Sequence, residues 1–180
     1  DNMQYTSKYK SPLGEIMIAA DELGLTGLWF VGQKYFALYL DKENEEKETP
    51  ILKDTKKWLD IYFSGKEPNF KLPLHFKGTP FQNEVWEILY SIPYGETLTY
   101  GEIANILANK KGLKRMSAQA VGGAVGKNEI SIIVPCHRVV GSNGSLTGYA
   151  GGIDKKIELL KIENGYKEEF FSYKKSQRCK

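Results

Sequence analysis

Cys136, His137 and Arg138 follow one another at the end of an apolar run, residues 130–134, that is closed by Pro135 ("ISIIVPCHRVV"). The chain has only two cysteines and two histidines, so one of each side by side draws the eye to chemistry. The thiolate is the nucleophilic form of cysteine, and an imidazole within reach favours it. The run reads as a buried strand, in which adjacent side chains point to opposite faces. Pro135 ends strand pairing and lacks a backbone donor. A turn after it would bring thiol and imidazole to one side, with a water between them. A third group must then orient the imidazole. Glu163, in "LLKIENG", ends an amphipathic helix marked by Ile157 and Leu160, beyond the glycine-rich "GSNGSLTGYAGG". The three make a Cys–His–Glu set ordered like a hydrolase triad. A buried structural cysteine is the bland alternative, and spacing alone does not decide between the two.

The elements that must hold these residues are legible as patterns. The segments "MQYTSKYK", "EIMIAAD" and "LTGLWFV" are short and rich in β-branched and aromatic residues, with turn chemistry between them; they predict an antiparallel meander. The charged run 41–48 is expected as an exposed loop or helix end. Thr49 and Pro50 begin a helix with Ile51, Thr55, Trp58, Leu59 and Tyr62 on one stripe, and Gly65 ends it. "KLPLHF" is expected as an extended link. Thr79 and Pro80 begin a second helix, with Phe81, Val85, Ile88 and Leu89 at helical steps. Thr99 and Glu102 form a capping-box pattern before a helix that buries Ile103, Ile106 and Leu107. After a basic loop, Ser117 caps "SAQAVGGAVGKN". Two short helices around a basic turn resemble a helix-turn-helix. Ala118, Ala120, Gly122, Gly123 and Ala124 leave the second helix almost bare, at about 1 kcal/mol of propensity per internal glycine relative to alanine. Either a neighbouring element packs closely there, or another large body such as a DNA groove does.

Composition narrows the class. The chain has 180 residues, 41% hydrophobic and 26% charged, enough for one domain or two small ones with a real core. No apolar run approaches the ~20 residues of a membrane span, and the first residues lack a signal-peptide core. A soluble, cytoplasmic protein without membrane partners is expected. Two cysteines make no disulfide framework, and with two histidines no zinc-ligand spacing. A Cys136–Cys179 bridge is conceivable, an incidental tail cysteine the simpler reading. Net charge is +3, but residues 1–75 carry 10 basic and 12 acidic residues (net −2) and residues 76–180 carry 15 and 10 (net +5). The basic excess accompanies the Cys–His segment and suits either a polyanionic partner or an ordinary solvated surface.

Together, "IIVPCHRVV", "GSLTGYAGG" and "LLKIENG" resemble the methylated-DNA–protein-cysteine methyltransferases, which repair 6-O-methylguanine. "PFQNEVWEILYSIPYGETLTYGEIA" and "SAQAVGGAVGKN" are similar to that family's DNA-binding domain. The close match covers about residues 79–165; "SPLGEIMIAADELGLTGLWF" matches more loosely. The resemblance implies an α+β fold: a small N-terminal antiparallel β-sheet domain of RNase H-like type (1–74), then a mainly helical DNA-binding domain of winged helix-turn-helix type (75–165). A basic, flexible tail (166–180) would follow. It implies a monomer that acts on double-stranded DNA containing 6-O-alkylguanine, and on 4-O-alkylthymine as a second substrate. It would bind the minor groove, flip the damaged nucleotide, and take the alkyl group irreversibly, in a single turnover and with no cofactor.

By position, Cys136 would be the alkyl acceptor, His137 its base through water, and Glu163 the imidazole's holder. Asn128 would brace the turn joining the recognition helix to the active-site strand. Tyr100 would crowd the rotating phosphate and supply a proton or hydrogen bond to the leaving guanine. The backbone carbonyls of Cys136 and Val139 would accept from the guanine amino group, and Tyr149 and Ala150 would line the loop over the substrate oxygen. Ser117, Gln119, Ala120, Gly122 and Gly123 would face DNA. Arg138 is assigned to the substrate and DNA set, with structural hydrogen bonds expected of it rather than reach to the base. Two departures stand out: Gln119 replaces an arginine common at the intercalating position, and Ala150 replaces a serine, leaving only its backbone N–H. Some relatives carry a structural zinc; with only His75 and no cysteine before Cys136, no metal is expected here. A thiol hydrolase, a non-catalytic binder of alkylated DNA and a damage-sensing regulator are the competing readings. The first leaves the bare helix unexplained, the second lacks the acceptor thiol, and the third needs a further module.

Overall fold

Four hydroxyl side chains start four of the helices. In the computed structural model, which describes residues 3–146 and 148–171, Thr49 caps α1 (Pro50–Phe63) by accepting from the Leu52 N–H. Thr79 caps α2 (Pro80–Tyr90), and Gln82 reaches back to the Thr79 N–H, a second capping box. The predicted Thr99–Glu102 box opens α3 (Tyr100–Lys111). Ser117 opens α4 (Ala118–Gly126) by accepting from Ala120. Each cap satisfies backbone donors that a helix start leaves unpaired.

The chain divides into two units: residues 1–78 with 129–131, and residues 79–128 with 132–180. In the first, β1 (Gln4–Ser11), β2 (Gly14–Ala20) and β3 (Leu25–Phe30) form the expected antiparallel meander, with Tyr5 opposite Ala20 and Ile16 opposite Phe30. The charged run departs from expectation. Within it, β4 (Asn44–Glu46) joins the sheet parallel to β1, giving the order β3-β2-β1-β4. Its side chains are exposed, so hydrogen bonding to an open edge, not burial, holds it. α1 buries Leu52, Thr55, Leu59 and Tyr62, while Ile51 and Trp58 of the predicted stripe are half-buried.

β3 is buried along its whole length, as a strand covered on both faces should be. Its second edge is filled twice. The Leu25 N–H donates to the Pro73 carbonyl and the Leu25 carbonyl accepts from His75, so "KLPLHF" is a paired segment and not merely a link. Further along, the Leu28 N–H donates to Glu129 O and the Ser131 N–H to Leu28 O. Glu129 is buried there, its Oε2 accepting from Trp29 Nε1 at 2.6 Å. Burial pushes its carboxyl up to about 7, although the hydrogen bonds from Trp29 and the Tyr39 backbone pull the other way. A raised carboxyl pKa favours folding at low pH, and that contribution is lost as pH rises from about 4.5 through about 7. Glu129→Gln keeps an acceptor for Trp29 and removes the charge. It is expected to stabilise the chain at pH 8 by at most about 3 kcal/mol and hardly at all at pH 5, read from urea midpoints at both.

The second unit holds α2 to α4, β5 (Leu98–Thr99), β6 (Val139–Val140) and α5 (Ile153–Ile162). Trp86 of α2 donates to the Ala124 carbonyl at 2.9 Å, fixing α2 on α4. α3 buries Ile103, Ala104, Leu107 and Ala108, whereas Ile106 is 36% exposed; the inward face is turned toward the alanines. Residues 130–134 are buried as expected, but they are not a strand. Only Ile130 makes an isolated bridge; residues 131–133 form a turn and Val134 a bend, with Ile132 at φ 70°. Asn128 Nδ2 caps the Val134 carbonyl at 2.7 Å, giving that group a side-chain partner in place of a strand ladder. The first residues of the expected tail are packed. Phe170 is buried with Val140, Leu146, Ile157 and Leu160, and the Leu146 N–H donates to the Phe171 carbonyl at 2.7 Å. Apolar burial of its aromatic side chains gives this segment its place. The rest of the tail, with Cys179, lies outside the described residues.

Candidate functional site

Cys136, His137 and Arg138 form one turn of 3₁₀-helix between Pro135 and β6. The Arg138 N–H donates to Pro135 O, and the Val139 N–H to Cys136 O. These residues form a helical turn and not a strand, so their side chains do not alternate between two opposite faces. β6 pairs parallel with β5, Leu98 beside Val139 and Thr99 beside Val140, and Thr99 caps α3. That pairing brings the start of α3, hence Tyr100, to the end of the cysteine turn.

Glu163 closes α5 as its C-cap. Its carboxylate receives donors on both oxygens: Arg138 Nε at 2.7 Å and the Gly95 N–H at 3.1 Å on Oε1, Arg138 Nη2 at 3.0 Å on Oε2. His137 Nε2 lies 2.6 Å from Oε2. The Gly95 loop can sit this close because a Cβ on Gly165 would lie 3.0 Å from the Gly95 carbonyl, and one on Gly95 would lie 3.1 Å from the Glu163 carbonyl. The "YGE" and "ENG" glycines are thus a matched pair. Burial alone would raise Glu163, but the hydrogen bonds and charges of His137 and Arg138 outweigh it and hold the carboxyl well below the usual range. Burial drives His137 the other way: it lowers the imidazole, and the pull of Glu163 does not restore it. Since an ionised carboxylate only accepts, Nε2 carries the hydrogen and Nδ1 is the basic atom.

Cys136 is buried, and burial pushes its thiol up; a hydrogen bond from Asn128 and the charge of Lys156 pull it down. The resting group is therefore a thiol in surroundings built for a thiolate. Lys156 was not foreseen. It is fully buried on α5, where burial brings its ammonium down to about 8 and Cys136 holds it from falling further. The signal was in the sequence: Ile153, Lys156, Ile157 and Leu160 make one i, i+3, i+4, i+7 stripe, so a lysine stands at a core position. Its lowered pKa costs stability in full below about pH 8, and the cost is relieved as pH rises toward 10.5. Lys156→Met is expected to stabilise the fold at pH 7 by at most about 3 kcal/mol, with the gain shrinking above pH 8. It should also slow any reaction of the Cys136 thiolate, a pairing that urea titration and thiol-modification rates would test.

Tyr100 opens α3, half-buried, with its phenol pushed up to about 12 by burial and by Cys136, so it keeps its proton. A Cβ on Gly148 would lie 3.4 Å from its hydroxyl, and one on Gly122 would lie 3.8 Å from its ring. Val139 is fully buried, Tyr149 is buried and Ala150 half-buried beside it in sequence. On α4, Ser117, Gln119, Ala120 and Gly123 are exposed, and a Cβ on Gly123 or Gly126 would meet nothing within 4 Å. Close packing inside the chain thus requires glycine at none of Gly122, Gly123 and Gly126, since a Cβ on Gly122 would make only an ordinary van der Waals contact. Arg138 is 7% exposed, its guanidinium spent on Glu163, on the Ile92 carbonyl and on the Tyr94 ring. These are structural hydrogen bonds of the kind expected of it. Among the described residues, no helix is long and apolar enough to cross a membrane.

Comparison with known proteins agrees over most of the chain. Residues 4–76 match 6-O-methylguanine DNA methyltransferase, ribonuclease-like domain, and residues 80–165 match its DNA binding domain. A methylated-DNA–protein-cysteine methyltransferase of Methanosarcina acetivorans is 45% identical over 161 residues, 88% of this chain and 97% of that protein. The crystal structure of Mycobacterium tuberculosis O6-methylguanine methyltransferase superposes with a TM-score of 0.75 at 40% identity, covering 90% of this chain and 93% of that one. Mycobacterium tuberculosis OGT in complex with DNA gives 0.75 at 38% identity, with 90% and 92% covered. With both of its units matched in order, the chain belongs to the methylated-DNA–protein-cysteine methyltransferase family.

Proposed function

We propose that this protein repairs DNA by moving the alkyl group of 6-O-alkylguanine, and secondarily of 4-O-alkylthymine, onto its own Cys136. The observation that carries this reading is the buried thiol flanked by Asn128 and Lys156, beside a neutral His137 held by an ionised Glu163. The reaction needs a thiol that ionises only when its proton has somewhere to go. That proton passes through a water to His137 Nδ1, whose new charge Glu163 stabilises. The sulfur attacks the alkyl carbon in line; the S–C bond forms as the O–C bond breaks, and the electron pair leaves with guanine. Tyr100, still protonated, donates to the developing guanine anion. The backbone carbonyls of Cys136 and Val139 accept from the guanine amino group, and Tyr149 and the Ala150 N–H border its oxygen. A thioether is not readily hydrolysed, so each molecule acts once.

Access to the base follows from α4. Its exposed Ala120 and Gly123, with Gly122, let the backbone approach the wall of the minor groove, and Ser117 lies at its N-terminus. Flipping the nucleotide costs a few kcal/mol, and exposed Gln119 fills the gap without the charge of an arginine. The protein is proposed to work as a monomer in the cytoplasm. The test is mass spectrometry of the intact and digested protein after mixing with methylated duplex. One added methyl, on Cys136 and not on Cys179, is expected. Repeated turnover, or a burst with activated esters and no stable adduct, would support a thiol hydrolase instead.

A further inference from the structure

We infer that Arg138 is a positioning residue of this site: by gripping both oxygens of Glu163 it keeps that carboxylate an acceptor only, which forces the His137 hydrogen onto Nε2 and leaves Nδ1 to take the proton of Cys136. The inference rests on the alkyl-transfer reading and goes beyond it, because it concerns what decides the state of the base. An unshared buried carboxylate 2.6 Å from an imidazole would draw a proton onto it. A protonated His137 could accept nothing. Arg138 prevents this in two ways. Nε and Nη2 reach the two Glu163 oxygens at 2.7 and 3.0 Å, the fork geometry that suits guanidinium to carboxylate. Nη1 is anchored separately at 2.7 Å on the Ile92 carbonyl, and the guanidinium lies 5.7 Å over the Tyr94 ring, so the grip is fixed from a third side.

The charged groups acting on His137 come from two elements. Arg138 shares its turn; Glu163 and Lys156 come from α5. Glu163 favours the imidazolium, while Arg138 and Lys156 oppose it along with burial. Arg138 is distinctive among these because it also occupies the oxygens through which Glu163 acts. A lysine there could supply the charge but not the fork.

The experiment is an NMR titration of the imidazoles in the DNA-free protein, which does not depend on alkyl transfer. With two histidines in the chain, His75→Asn leaves a single spectrum to follow. In the otherwise unaltered protein, His137 is expected as the Nε2–H tautomer, neutral at and somewhat below the ordinary value of 6.5. Arg138→Gln, checked for folding by thermal unfolding, should raise its midpoint by at least about one pH unit. Arg138→Lys should restore part of that shift. In parallel, the single-turnover rate of Arg138→Gln should fall about tenfold at pH 6.5 and recover by pH 8.5. An unchanged midpoint in folded Arg138→Gln, or a rate loss equal at every pH, would leave Arg138 a mere structural brace and overturn the inference. If Arg138→Gln does not fold, the unsubstituted site still decides: His137 titrating above 6.5, or protonated on Nδ1, refutes it. Failure to methylate Cys136 with these titrations as expected would instead refute the repair reading alone.

Discussion

Replacing Cys136 with serine is expected to abolish alkyl transfer while leaving a folded protein that still binds DNA. A hydroxyl ionises far less readily than a thiol and is a much poorer nucleophile toward saturated carbon. Removing the nucleophile from a set that acts as a unit costs on the order of 10⁶ in rate. The stability change should be small, about 1 kcal/mol, because a serine hydroxyl can take the hydrogen bond that Asn128 offers the sulfur. The measurements are transfer of labelled methyl from duplex DNA, a binding titration with the same duplex, and urea unfolding. DNA binding should weaken with added salt, since basic side chains displace counterions. Methyl transfer retained by the serine protein, or a label found at Cys179, would end the assignment of Cys136.

Glu163→Ala should be the most damaging single change to the fold of the second unit. It strips the acceptor from the Gly95 N–H, from His137 Nε2 and from two Arg138 nitrogens, and it strands the charge of an arginine that is only 7% exposed. Removing one partner of a buried ion pair costs roughly 3–5 kcal/mol. The pH dependence has a definite sign. A carboxyl held below its usual value contributes stability that is present above about 4.5 and is lost as pH falls toward its folded value. The gap between the two proteins should therefore be widest near neutrality and narrow below pH 4.5, as urea midpoints across pH 3–7 would show. A gap independent of pH would contradict an ionised Glu163. Glu163→Gln should fall between the two in stability, because its amide keeps one acceptor but turns a donor toward His137 or Arg138. Transfer should drop by roughly 10⁴ in either variant, the scale on which an orienting carboxylate matters to its histidine.

How much of this could be read beforehand differs by element. The caps at Thr49, Thr79, Thr99 and Ser117 were legible because a helix start depends on residues within one turn. The meander was legible because strand composition and turn residues alternate locally. Ile106 was misplaced because helical spacing marks a stripe but not its edges, and the small Ala104 and Ala108 allowed the closer approach. β4 was missed because nothing in a charged, exposed triplet announces a partner; the open edge of β1, distant in sequence, supplied it.

At the site, residue types and their order made Cys136, His137 and Glu163 a candidate set, and the family resemblance gave each its expected role. Composition marked the bare α4, and the resemblance alone pointed to Tyr100; nucleophile, base and acid are chemical identities that a sequence states outright. What no local pattern could contain was how those groups stand toward one another. The burial that raises the Cys136 thiol, lowers Lys156 and keeps His137 neutral is a property of the packed unit. So is the Arg138 fork on Glu163, which closes across 25 residues of chain. Proton affinity depends on solvent exclusion and on charges brought near by folding. The amino-acid order therefore named the candidate groups, and the tertiary structure alone decided which of them carries the proton.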